Sequence, residues 1–208
     1  MTTGINGTSK VVSPSKLAHV VLRTNKFEEQ REFYKVFLGG YEVHGNDFIT
    51  FITYDEEHHR IALLKTPGTK DKDFESCGLD HIAFTFETIK DLCMAYRQRK
   101  ELGIEPGWCV NHGPTTSMYY RDVDGNTIET QIDNFDDPEE ATRYMSRPEF
   151  AENAMGTDFD PEELCAAVLD RGEDEAKFKM PMPSGPRGPG DIKEVMGRVR
   201  AKVPLIKV

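Results

Sequence analysis

The chain repeats itself, and an internal repeat of this kind admits few folds. Two strand-like runs look alike, Leu17-Ala18-His19-Val20-Val21-Leu22 and Leu79-Asp80-His81-Ile82-Ala83-Phe84. A helical segment follows each, over residues 27–38 and 89–102, and each stops at glycine: Gly39-Gly40 and Gly103. Glycine most readily takes the left-handed turn just past a helix end. Three short strand-like runs then follow, near 41–43, 48–54 and 60–65 in the first half and near 107–111, 117–121 and 127–132 in the second. Each half reads β-α-β-β-β, an α+β pattern with a mixed sheet.

Strand periodicity assigns faces. Ala18, Val20 and Leu22 share one face of the first strand; His19, Val21 and Arg23 share the other. In the second, Ile82, Phe84 and Phe86 oppose His81, Ala83 and Thr85. The apolar faces should pack on the helix of their own half, leaving both histidines on the opposite, concave face. Two such half-sheets side by side predict an open mixed-sheet barrel with a polar cavity. One histidine on a strand is usually structural; two at matching repeat positions point to metal ligation. His44, His58 and His59 fall in loops or at strand edges and read as solvated.

The expected organisation is a flexible N-terminus (1–15), a first module (16–67), a linker (68–77), a second module (78–134), a helical extension (135–179) and a Pro/Gly-rich, basic tail (180–208). Asp137-Pro138-Glu139-Glu140 and Asp160-Pro161-Glu162-Glu163 are helix starts, each an acidic N-cap before proline. The stretch 146–159 between them is either a lid over the cavity, carrying Phe150 and Phe159, or a packed connector. Residues 180–190 should be extended or mobile. The basic segment from Asp191 onward either docks on the acidic body or on a second subunit, or remains a partly ordered tail.

A net charge of −10 argues against nucleic acid or an anionic membrane as partner. No apolar run approaches the ~20 residues a membrane span needs. The N-terminus has no apolar core of a secretory signal, so the Asn6-Gly7-Thr8 sequon should carry no glycan, and a cytoplasmic location is expected. Cys77, Cys93, Cys109 and Cys165 form no C-x-x-C pair and read as free thiols.

The densest motif runs from His112 to Glu129. Asp124-Gly125 between two strand-like runs signals a hairpin. A two-residue turn would set Tyr120 opposite Glu129. A three-residue turn, Val123-Asp124-Gly125, sets Tyr119 there and leaves Met118 and Tyr120 facing the helix, which is the preferred reading. Glu129 on an inward face is costly unless paired or coordinating. Asp124, Gly125 and Asn126 set the register that aims it.

The paired modules and the Tyr-x-x-Asp-x-x-Gly-Asn-x-x-Glu hairpin, Tyr119 to Glu129, resemble the vicinal oxygen chelate superfamily, the glyoxalase/bleomycin-resistance/dioxygenase fold, over residues 16–134. The ligand pattern is most similar to type I extradiol ring-cleaving dioxygenases. That resemblance implies a facial triad of His19, His81 and Glu129, a hydrogen-bonding Tyr119 and an acid–base His112. It also implies Fe(II), with Mn(II) or another divalent metal as substitutes, and a small aromatic vicinal diol plus O2 as substrates. A homodimer is compatible with it. Glyoxalase I-type members take a fourth ligand from the last strand of the first module; Arg60-Ile61-Ala62-Leu63-Leu64 offers no carboxylate there, which favours an open three-ligand site. Classical extradiol enzymes carry an extra pair of modules that this chain lacks. Two rival readings stand beside the dioxygenase: a non-oxidative metal-dependent isomerase, epimerase or lyase, and a metal-free small-molecule-binding protein. Trp108 is assigned equally to the aromatic pocket and to the core.

Overall fold

Each half of the chain builds one mixed sheet with a helix against it. The computed structural model describes residues 11–179 and 189–204. The Asn6 sequon, residues 1–10 and most of the Pro/Gly-rich run lie outside the described residues. The first half gives β1 (Val20–Thr24), α1 (Phe27–Leu38), β2 (Tyr41–Gly45), β3 (Ile49–Thr53) and β4 (Ile61–Lys65). Its sheet order is β1-β4-β3-β2, with β1 parallel to β4 and the other pairs antiparallel. The second half gives β5 (His81–Thr85), α2 (Ile89–Glu101), β6 (Trp108–Asn111), β7 (Thr115–Arg121) and β8 (Thr127–Asp133). Its order, β5-β8-β7-β6, repeats the first, and β9 (Thr157–Asp158) adds to the β6 edge. The remaining helices are α3 (Pro138–Met145), α4 (Pro148–Glu152), α5 (Pro161–Cys165, continuing as a π-helical turn over Ala166–Asp170), α6 (Ala176–Lys179) and α7 (Pro189–Ala201). Among the described residues no helix is long and apolar enough to cross a membrane.

The α+β class and the paired modules are those the sequence predicts. The two sheets are separate and do not close a barrel within the chain. Local chemistry sets the helix ends. Gly39 takes φ 61 past α1, and the N–H of Gly40 reaches the Lys35 carbonyl at 2.9 Å. Thr88 caps α2, its hydroxyl oxygen accepting from the Asp91 N–H at 2.9 Å, a contact worth about 1 kcal/mol. Asp137 and Asp160 cap α3 and α5 as the Asp-Pro pairs predict.

The apolar faces of both sheets and both helices converge on one core. Leu22, Ile52, Ile61 and Leu63 from the first sheet share it with Ile82, Met118, Tyr120 and Ile128 from the second. Contacts at Phe37, Arg99 and Asp122 are among those that tie the modules. Phe37 of α1 meets the Tyr120 ring edge-on at 5.1 Å. Arg99 of α2, 4 % exposed, donates from Nε and Nη2 to the Phe37 carbonyl at 2.9 and 2.6 Å. Gln30 and Tyr34 of α1 donate to the buried Asp122 carboxylate at 2.8 and 3.0 Å. With the helix sides joined in one core, the opposite face of each sheet is turned away from it.

Candidate active site

Strand register places the chemistry on the outer face of the second sheet. Ala83 of β5 is paired with Glu129 of β8, Glu129 with Tyr119 of β7, and Tyr119 with Trp108 of β6. These four residues form one row across the sheet. The Tyr119–Glu129 pairing is the one the three-residue turn predicts: Asp122 and Asn126 close the hairpin, Asp122 N–H to Asn126 carbonyl at 2.9 Å, and Gly125 takes φ 93. A side chain there would be strained by its backbone alone. Met118 and Tyr120 lie in the core, as expected.

The row is wired by hydrogen bonds. Glu129 is 4 % exposed, and its Oε2 lies 3.0 Å from His81 Nε2. The Glu129 hydrogen bond holds the His81 pKa up at about 9 against the pull of burial, with Asp80 contributing at 2.8 Å on the other ring nitrogen. Burial pushes the Glu129 carboxyl up, but hydrogen bonds from His81, Ser117 and Tyr119 and the His81 charge more than offset it, so its pKa lies below the ordinary value. Tyr119 moves the other way: burial first, then the Glu129 charge, push its hydroxyl well above the usual range and keep it a neutral donor.

His112, just past β6, meets the row at Tyr119. Its Nε2 is 3.0 Å from the Tyr119 hydroxyl and its Nδ1 is 2.9 Å from the Met155 carbonyl. A carbonyl only accepts, so Nδ1 carries the hydrogen. In a neutral ring that tautomer puts the lone pair at Nε2, toward Tyr119. Trp108 stacks on Tyr119 at 4.8 Å and donates from Nε1 to Asp158 at 2.7 Å. It belongs to the outer face rather than the main core. There Val195 and Val199 of α7 cover Trp108, Val110 and Tyr119, so the described part of the basic segment docks on its own second sheet. The 146–159 stretch is no free flap: α4 and β9 form within it, and Met155 orients His112.

His19 is elsewhere. It is exposed, stands just before β1, and its ring lies 4.2 Å from His59, which in turn lies 4.6 Å from Phe51. His59 therefore packs on the first sheet's outer face rather than being simply solvated. The repeat is exact in register: Val21 pairs with Ala62, and Ala62 with Phe51, just as Ala83, Glu129 and Tyr119 are joined in the second sheet. Ala62 occupies the place of Glu129. The first sheet's outer face therefore carries imidazoles, His19 with His59 beside it and His44 against Phe51, but no carboxylate at the place of Glu129. Among the described residues no three His, Cys, Asp or Glu side chains come together within the chain in a group able to hold a metal. The structure joins His81, Glu129, Tyr119 and His112 and leaves His19 apart.

Sequence reasoning passed over Ser117 and Met155. Ser117 lies two residues before Tyr119 on the same strand face, so period-two alternation was sufficient to find it. Met155 acts through its carbonyl, which no side-chain pattern reveals.

Residues 16–130 match the model of the glyoxalase/bleomycin resistance protein/dioxygenase superfamily. Biphenyl-2,3-diol 1,2-dioxygenase 2 of Rhodococcus globerulus is 48% identical over 147 residues, 70% of this chain and 77% of that protein. Biphenyl-2,3-diol 1,2-dioxygenase 3 of the same organism is 46% identical, over 73% of this chain and 81% of that protein. The crystal structure of a glyoxylase/bleomycin resistance protein/dioxygenase domain from Frankia sp. EAN1pec aligns with a TM-score of 0.50 at 21% identity, over 58% of this chain and 99% of that one.

Proposed function

Because the chain belongs to the glyoxalase/bleomycin resistance protein/dioxygenase superfamily, we propose that it is an extradiol dioxygenase that opens the ring of a catechol-like aromatic with O2. The observation that carries this reading is the line His81–Glu129–Tyr119–His112: a nitrogen–oxygen donor pair with a neutral hydroxyl and an oriented imidazole beside it. The similarity to two biphenyl-2,3-diol 1,2-dioxygenases supports the same reaction and a substituted aromatic diol as substrate.

The donor set fits a divalent first-row metal, and Fe(II) is the one suited to O2 chemistry. His81 Nε2 and a Glu129 oxygen would hold it; His19, the third ligand the resemblance implies, stands apart from them within the chain. Bound there, the metal supplies a Lewis acid that acidifies the diol and a route for electrons from diol to O2. Ser117 and Tyr119 hold the carboxylate in orientation. His112 has the tautomer to take a diol proton at Nε2 and return it to the opening ring. The single Tyr119 hydroxyl hydrogen, shared between His112 and Glu129, would turn to a substrate oxygen once the diol is bound. The wall of Trp108, Val110, Val195 and Val199 excludes water beside them. The reaction balances without another reductant: one carbon–carbon bond next to the diol breaks and both atoms of O2 enter the product.

Anaerobic loading with Fe(II), followed by catechol or 2,3-dihydroxybiphenyl in air, tests the proposal. Oxygen uptake equimolar with diol and a yellow ring-opened product are expected. Iron-loaded protein that consumes no O2 with a broad panel of catechols would overturn it.

A further inference from the structure

We infer that Asn153, in the C-terminal extension, is a positioning residue for His112: its side-chain amide holds the turn that fixes which ring nitrogen carries the hydrogen. The inference rests on the proposed function above, which gives His112 the proton, and goes beyond it by extending the site past the two modules. The family match ends at residue 130, and the carbonyl that accepts from His112 lies beyond it, on Met155. A carbonyl orients a ring only as well as it is itself held. Asn153 follows α4 and is 8% exposed. Its Oδ1 accepts from the N–H of Met155 at 3.1 Å and of Gly156 at 3.0 Å, and its Nδ2 donates to the Gly156 carbonyl at 3.1 Å. The Gly156 N–H belongs to the same peptide unit as the Met155 carbonyl. In a trans peptide the two point opposite ways, so anchoring the N–H on Asn153 aims the carbonyl at His112 Nδ1, 2.9 Å away. An apolar side chain at 153 would leave these backbone groups without that partner.

Gly156 sets the distance. It takes φ 81, and a Cβ there would come within 2.0 Å of the Asn111 carbonyl oxygen and 2.7 Å of the His112 Cα. The turn therefore lies directly on the backbone of His112, and β9 carries on from it to pair Thr157 with Asn111. On the other side of the histidine, Asn111 Oδ1 accepts from the Gly113 N–H at 2.8 Å, and Asn134 Nδ2 donates to the Gly113 carbonyl at 2.8 Å. With the backbone fixed on both sides, the freedom left to His112 is that of its ring, and the Met155 carbonyl removes it. The consequence is chemical. While the carbonyl stays in place the ring hydrogen sits on Nδ1, and Nε2 keeps the lone pair that receives a proton. Once the carbonyl moves, either nitrogen can carry the hydrogen, and a neutral ring protonated at Nε2 donates toward Tyr119 and takes no proton from a diol.

Nitrogen-15 NMR of the histidine rings reads the tautomer directly, in full-length protein with and without Zn(II), at a pH where the ring is neutral, and it needs no turnover. His112→Ala identifies the His112 signals among the 6 histidines. In wild type they should report hydrogen on Nδ1 and a bare Nε2. Asn153→Ala should mix the two tautomers and, in iron-loaded protein, lower kcat about 10–100-fold with KM for the diol unchanged. Asn153→Asp keeps the oxygen that accepts from Met155 and Gly156 and loses only the donor, so both effects should be smaller; it also carries the test if the alanine variant does not fold. Gly156→Ala, which lifts the turn by an independent route, should give the same mixed signals as Asn153→Ala. Variants that lose stability yet keep the wild-type ring signals would overturn the inference and leave the dioxygenase reading in place. Ring signals that change as expected, in a protein whose iron-loaded wild type consumes no O2, would remove the reaction and leave the positioning role standing.

Discussion

At the scale of single residues, the site is a study in which charge each group can keep. Glu129 is nearly buried yet stays ionised because His81, Ser117 and Tyr119 all donate to it. Tyr119 is held neutral by the same burial and the same carboxylate, which makes it a donor and removes it as a base. His112 is left as the proton acceptor, its tautomer set by a backbone carbonyl. Replacing His112 with Ala should therefore lower kcat by roughly 10²–10⁴-fold with unchanged iron content. Tyr119→Phe should lower kcat by less and leave the fold intact, since the ring still stacks on Trp108. Steady-state kinetics with parallel metal analysis checks both; a His112→Ala enzyme at wild-type kcat would remove that residue from the proton path.

At the scale of elements, much was legible. The limits of α1, the Asp-Pro helix starts and the Tyr119–Glu129 register all follow from local chemistry that the chain states openly. The first strand was legible in kind but not in extent. Leu17 to His19 alternate like a strand, yet pairing begins at Val20, because the carbonyls of Leu17 and Ala18 are taken by the Arg60 guanidinium at 3.0 and 3.2 Å instead of a neighbouring backbone. The dock of α7 was not legible, because it depends on one close backbone approach: a Cβ on Gly107 would come within 2.3 Å of the Val199 Cα. That closeness is testable. Gly107→Val should push α7 off Trp108 and Tyr119, cost about 1–3 kcal/mol of stability, and expose Arg198 and Arg200 to trypsin. Denaturant melts and timed proteolysis read the two effects; a variant as stable and as resistant as wild type would show that α7 does not depend on this contact.

At the scale of the whole molecule, two modules of like topology differ in chemistry at one matching row of their sheets. Where the second carries Ala83, Glu129, Tyr119 and Trp108, the first carries Val21, Ala62, Phe51 and His44. The core that joins the modules runs through Asp122, which accepts from Gln30, Tyr34 and Asn126 and so ties the catalytic hairpin to the opposite module's helix. Sequence periodicity placed both histidines opposite the helices, on a concave face lining one shared cavity; the two faces instead turn apart, because the helices share one core, a long-range packing choice. An enzyme that puts molecular oxygen into an aromatic ring must leave both atoms of O2 in the ring-opened product. The direct measurement is mass spectrometry of the product formed from catechol under ¹⁸O2 by iron-loaded protein, sampled at early times. A ring-opened product carrying both labelled oxygen atoms is predicted; an unlabelled product, or one formed equally well without O2, would contradict the account.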